Sequence, residues 1–134
     1  MNDAEEKTAK ILIVDDHPAT RGLISGLLQQ LGYNDISSVH NGTEALAQLK
    51  KKRFDLVLSD WVMPEMDGLT LWNNIKEDES LKNTPFVLLT AVNEMEKIKE
   101  AISKGITDYI VKPITLQALT KKLAKVLNAG NLPK

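Results

Sequence analysis

There is no cysteine in these 134 residues, so disulfides and thiolate metal sites are excluded. Only two histidines are present, too few to build a zinc site on their own. No apolar run approaches the ~20 residues that a membrane-spanning helix needs. The first ten residues, Met1 to Lys10, are polar and lack the apolar centre of a signal peptide. A charge bias is also missing. The 17 basic and 18 acidic residues give a formal net charge of −1, so nothing electrostatic calls for nucleic acid or an anionic membrane as partner. The expectation is a soluble, cytoplasmic protein. The hydrophobic fraction of 43% is ample for a core, and the length suits one domain.

Strand and helix signals alternate along the chain. Ile11 to Val14 is a short β-branched apolar run that ends at Asp15-Asp16, and Pro18 suits a first helical turn. Ile24, Leu27, Leu28 and Leu31 follow at helical spacing until Gly32. Ile36 to Val39 is a weaker second strand. Asn41-Gly42-Thr43-Glu44 reads as a helix start, with an acid three residues after the cap and Leu46 and Leu49 beyond it. Phe54 to Leu58 predicts the third strand, ending at Ser59-Asp60. Asp67 is expected to cap a helix carrying Leu69, Trp72 and Ile75. Phe86 to Leu89 is the fourth strand, ending at Thr90. Asn93 with Glu96 repeats the capping pattern, ahead of an apolar stripe of Met95, Ile98 and Ile102. Tyr109 to Val111 is the fifth strand, ending at Lys112-Pro113. Thr115 opens a last helix whose stripe, Leu116 to Leu127, reads as core. Five β–α units with near-continuous apolar strands imply an α/β fold, a parallel sheet covered on both faces. The expected strand order is the doubly wound 2-1-3-4-5.

The strand ends carry the chemistry. In such a sheet, sites form beyond the carboxyl ends of the strands, at the switch between strands 1 and 3. Those ends present Asp15 and Asp16, then Asp60, Thr90 and Lys112. Three carboxylates in one crevice repel one another unless a cation joins them or their pKa values rise. Oxygen ligands suit a hard ion, so Mg²⁺ is the natural candidate. With a lysine and a hydroxyl nearby, the set fits phosphoryl transfer to a carboxylate nucleophile. Any one of these residues alone would read as a cap or loop residue. Their joint occurrence at the ends of four different predicted strands is what points to a site.

In this order and spacing, Asp15-Asp16, Asp60 with Met63-Pro64 and Asp67-Gly68, Thr90-Ala91, and Tyr109 with Lys112-Pro113 resemble a two-component response-regulator receiver domain, over roughly Lys10 to Leu127. The resemblance implies a flavodoxin-like receiver fold over 10–128, with a flexible tail at 1–9 and another at 129–134. It implies a phosphoprotein in signal transduction, with Asp60 as phosphoacceptor and a histidine kinase as phosphodonor. It places Mg²⁺ on Asp16, Asp60 and the Val62 backbone carbonyl, with Asp15 acting through water. Lys112 would contact the phosphoryl group. Thr90 would turn its hydroxyl toward that group, and Tyr109 would swing inward as Thr90 moves. A downstream protein target would dock on the fourth helix, fifth strand and fifth helix. The Lys112–Pro113 bond is cis in many such domains.

Within that family, Ser59-Asp60-Trp61, the segment from Glu77 to Pro85 and the placing of Tyr109 resemble the single-domain chemotaxis regulators. Val62 stands where those proteins typically carry Asn. Glu94 and Met95 stand where their motor-binding face typically carries lysines. The apolar Val62 and Val92 flank the approach of water to the acyl phosphate, which implies a longer phosphorylated lifetime and a separate phosphatase or back-transfer. His17 reads as structural, because Mg²⁺ prefers oxygen. Trp61 is expected to cover the site, and Lys121, Lys122 and Lys125 to form a solvated helix face.

Other readings are a phosphorelay or phosphate-sink receiver, and a receiver excised from a longer regulator. A Mg²⁺-dependent phosphatase with an Asp nucleophile would need a second Asp two residues after its nucleophile on the first strand, which Asp15-Asp16-His17-Pro18 lacks. An FMN-binding module would need a Ser/Thr/Gly-rich phosphate loop in the first β–α turn. The chain is therefore read as a signalling switch rather than an enzyme, one that catalyses only its own phosphorylation and dephosphorylation.

Overall fold

The computed structural model describes residues 7–91 and 94–128. The chain runs β1 (Ile11–Val14), α1 (Pro18–Gln30), β2 (Ile36–Val39), α2 (Gly42–Lys51), β3 (Leu56–Asp60), α3 (Gly68–Glu77), β4 (Phe86–Thr90), α4 (Met95–Lys104), β5 (Tyr109–Val111) and α5 (Leu116–Asn128). The five strands form one sheet in the order β2-β1-β3-β4-β5, the order expected from the sequence, and every strand pair is parallel.

Alternation along each strand divides the core into two layers. Leu12, Val14, Val57 and Leu88 face one side with Ala45 and Leu49 of α2, Leu71, Trp72 and Ile75 of α3, and Ile98 and Ala101 of α4. Ile11, Ile13, Leu56, Leu58, Val87 and Leu89 face the other, against Ile24 and Leu28 of α1 and Leu119 and Leu123 of α5. Most of these side chains are wholly buried. Each buried Leu or Ile contributes about 2 kcal/mol relative to exposure, so both layers are stabilised without a disulfide or bound group.

Local sequence sets the helix starts. Pro18 stands at the first turn of α1. Asn41 accepts the Glu44 N–H at 2.8 Å, and Asp67 accepts the Thr70 N–H at 2.8 Å. Thr115 Oγ1 accepts the Ala118 N–H at 3.1 Å. These are the expected caps, each satisfying a donor that a helix start leaves free. Asn93 and Val92 lie outside the described residues, as does the side chain of Met95.

Three expectations are corrected. Strand β3 begins at Leu56, two residues after Phe54, although Phe54 is itself buried. Leu116 is 36% exposed, so the start of the α5 stripe is not core, and Ile102 on α4 is 47% exposed. Lys122 and Lys125 are not merely a solvated face, because both bind Asp108 (below).

Candidate functional site

Register explains why the acidic residues meet. Val14 pairs with Ser59 across β1 and β3, so the next residues, Asp15 and Asp60, leave the sheet abreast. Asp60 pairs with Leu89 of β4, and Thr90 with Val111 of β5, so Thr90 and Lys112 follow along the same edge. Ligand atoms of Asp15, Asp16, His17 and Asp60 all lie within 4.8 Å of one another. A cavity of about 1020 Å³, lined by Phe54, Asp55 and Pro85 among others, lies at the opposite strand ends and includes none of these acids.

Asp60 is 5% exposed. Its Oδ1 accepts from Lys112 Nζ at 2.8 Å and from the Trp61 N–H at 2.9 Å. Burial pushes the Asp60 carboxyl above its ordinary value. The nearby charge of Asp15 adds to that rise, and Lys112 and the Trp61 N–H oppose it. Asp15 is fully buried. Its Oδ1 accepts the His17 N–H at 2.8 Å, and its backbone carbonyl accepts from Arg21 Nη1 at 2.7 Å. The His17 ring nitrogen Nδ1 lies 3.1 Å from Asp16 Oδ1 and 3.4 Å from Asp15 Oδ1. Nevertheless Asp15 Oδ2 and Asp16 Oδ1 are buried without a partner in hydrogen-bonding geometry. A buried carboxylate oxygen without a partner is costly. Together with Asp60, Asp15 and Asp16 offer the oxygen donors that a hard cation such as Mg²⁺ selects, and the His17 ring nitrogen lies among them.

The loop after β3 is held tightly against this edge. The Trp61 N–H also donates to the Leu89 carbonyl at 3.0 Å, and the Gly68 N–H donates to the Trp61 carbonyl at 2.8 Å. A Cβ at Gly68 would stand 2.4 Å from the Asp60 carbonyl oxygen and 2.8 Å from Leu88 Cδ1, so only glycine allows this approach. Trp61 is 5% exposed and packs into the core layer with residues of α2 and α3. Val62, next along, is 56% exposed.

Thr90 is fully buried, but its hydroxyl donates to Glu94 Oε1 at 3.1 Å. The same Glu94 oxygen accepts the Ala91 N–H at 3.0 Å. Sequence reasoning noted Glu94 only as a departure from lysine and missed this bond. The Lys112–Pro113 peptide is cis. Tyr109 is half-buried against the core, with Lys122 Nζ 5.9 Å from its ring centre. Beside it, Asp108 lies 2.7 Å from Lys125 Nζ and 3.7 Å from Lys122 Nζ. Burial alone would raise the Asp108 carboxyl. The close Lys125 ammonium, the Thr107 hydroxyl bond and the charge of Lys122 outweigh it, holding the group below its ordinary value.

This fold is shared with known proteins. The response regulator receiver domain family matches residues 11–124. The chain is 45% identical to chemotaxis protein CheY-3 of Vibrio cholerae over 120 residues, covering 90% of this chain and 92% of that one. The structure of chemotaxis response regulator CheY4 of Vibrio cholerae superposes with a TM-score of 0.80 at 37% identity, covering 90% of this chain and all of that one. The receiver domain of a Pseudomonas aeruginosa sensor histidine kinase, with a magnesium ion coordinated in its active-site cleft, superposes with a TM-score of 0.81 at 28% identity, covering 91% and 99%. The chain therefore belongs to the response-regulator receiver family, as a homologue of the CheY chemotaxis regulators.

Proposed function

We propose that Asp60 accepts a phosphoryl group from a histidine kinase and that the chain signals through the α4–β5–α5 surface, in chemotaxis-type two-component signalling. The observation that carries this reading is Asp60 itself. It is a buried carboxylate with one oxygen held by Lys112 and the Trp61 N–H, beside two acids that each have one buried oxygen without a partner in hydrogen-bonding geometry. Oδ2 of Asp60 accepts no hydrogen bond from a described residue. It is the freer oxygen for attack. Transfer breaks the P–N bond of a phosphohistidine, returns that electron pair to the ring, and forms a P–O bond to Asp60. Lys112 is released from Oδ1 to pair with the new phosphoryl oxygens. Asp16, Asp60 and the Val62 carbonyl would hold Mg²⁺, with Asp15 acting through water. When bound, the ion neutralises charge on the transferring oxygens.

A groove of about 410 Å³ lined by Tyr109, Ile110, Val111, Ala118, Lys121, Lys122 and Lys125 supports the output surface. Ile102 on α4 and Leu116 on α5 are exposed as well. Tyr109 joins this groove to the core, which suits it to report movement of Thr90 to a protein target.

Incubation with acetyl phosphate and Mg²⁺ should add one phosphoryl group, mapped to Asp60 by mass spectrometry. Asp60→Asn should stay folded and take none. Label on Asp15 or elsewhere in the wild type would refute the assignment. Lifetime is the finer point. The exposed apolar side chain of Val62 cannot orient a water, and Val92 lies outside the described residues. Val62→Asn should speed phosphate release after donor removal by about tenfold, within the range that positioning a nucleophile commands. With slow release in the wild type, a phosphatase or back-transfer to a histidine would end the signal.

A further inference from the structure

A threonine has one O–H to give. Here it is given to Glu94, at 3.1 Å, with the Ala91 carbonyl at 3.4 Å as a second, weaker acceptor. Glu94 Oε1 takes the Ala91 N–H as well, at 3.0 Å. The Glu94 N–H donates back to the Ala91 carbonyl at 3.0 Å, which closes a compact turn. Glu94 stands at the cap position of α4, yet its side chain makes no capping bond to that helix. It reaches backwards instead, onto the end of the strand that lies beside Asp60. Thr90 is fully buried and Glu94 half-buried, so this is a sheltered, charge-assisted pairing.

We propose that Glu94 is an internal brake on the switch: its carboxylate occupies the Thr90 hydroxyl, which must leave it before it can serve a phosphoryl group on Asp60. The inference rests on the assignment of Asp60 as acceptor. Its physical basis is competition for a single donor. A carboxylate oxygen and a phosphoryl oxygen are both anionic acceptors, and the hydroxyl serves one at a time. Whatever free energy holds Thr90 on Glu94 is subtracted from the free energy that draws it to the phosphoryl group. The threshold for switching is then set by Glu94, a residue that touches neither the acceptor nor any atom transferred. It is a positioning residue acting through Thr90.

Beryllium fluoride with Mg²⁺ stands in for the phosphoryl group on a carboxylate, and tryptophan fluorescence reads its binding because Trp61 adjoins Asp60. Titrating the full chain, Glu94→Ala should bind about tenfold more tightly than wild type, the size of a net hydrogen bond to a charged acceptor. Glu94→Gln, which keeps the shape and a neutral acceptor, should fall between the two. In a Thr90→Ala background, Glu94→Ala should change nothing. Without any ligand, exchange of the Ala91 amide should be faster in Glu94→Ala than in wild type. Equal or weaker binding by both Glu94 variants would overturn the brake while leaving the acceptor assignment standing. An undiminished gain in the Thr90→Ala background would also overturn it, in favour of plain charge repulsion. Failure of wild type to respond to beryllium fluoride at all would overturn the Asp60 assignment, and the brake with it.

Discussion

Two sites on the sheet, one before the start of β5 and one at the end of β3, shelter carboxylates, and they are compensated in opposite ways. Around Asp108, one acid faces two lysines, at 2.7 and 3.7 Å, with the Thr107 hydroxyl on its other oxygen. No strict hydrogen bond reaches Asp108 Oδ1, but two ammonium charges offset it. Around Asp60, three acids share one full ion pair, Lys112 to Asp60. Arg21 donates to the Asp15 backbone carbonyl, and two carboxylate oxygens have no partner in hydrogen-bonding geometry among the described residues. The first group is compensated by the fold and ties Asp108 to α5. The second has fewer cations than acids and suits a cation from outside. A site of this kind is recognisable by what its own chain leaves undone.

The contrast breaks most easily in chemistry. Asp16→Asn should lower acetyl-phosphate labelling of Asp60 by at least about a hundredfold, the scale of removing charge stabilisation at the reacting group. Asp108→Asn should leave labelling within about twofold. A comparable loss in both variants would erase the distinction. The next effect is thermodynamic. Mg²⁺ at about a hundred times its dissociation constant should stabilise the wild type and Asp108→Asn by about 2.7 kcal/mol, and Asp16→Asn by far less.

In chelator, the two groups should respond with opposite signs. Asp108→Asn removes a compensated charge and should cost about 1–2 kcal/mol in urea unfolding. Asp15→Asn removes an uncompensated one and should be neutral or stabilising. The smallest effect is on pH. The Asp108 carboxyl is held below its ordinary value, so its contribution is complete above the ordinary carboxylate range. It is lost as pH falls through the lowered value. Wild-type and Asp108→Asn unfolding midpoints should therefore converge on acidification.

Most of the fold was readable because the strands are apolar on both faces and end at charged or hydroxyl residues. Asp15, Asp60, Thr90 and Lys112 could be placed together from strand order alone. The misreadings share a cause. Phe54 is buried like a strand residue, with Lys52 Nζ 5.2 Å from its ring, but it lies before the ladder begins. Ile102 and Leu116 continue a helical apolar pattern past the point where the sheet is there to cover them. The partners of Thr90 and Asp108 were invisible for another reason. A hydroxyl or a carboxylate announces that it needs a partner, whereas its choice depends on which side chain the backbone delivers within 3 Å.

Gly68 carries a consequence for any survey of variants of this chain. Its missing side chain is what lets the start of α3 press against the carbonyl of Asp60 and the side chain of Leu88. In a library holding every substitution at every position, residue 68 should tolerate change as poorly as residue 60, but for an unrelated reason. Substitutions at Asp60 should yield abundant, silent protein. Those at Gly68, even to alanine, should lower abundance as well, because the atoms to be displaced include backbone. A screen that scores signalling alone would merge the two positions, while one that also scores cellular protein level would separate them.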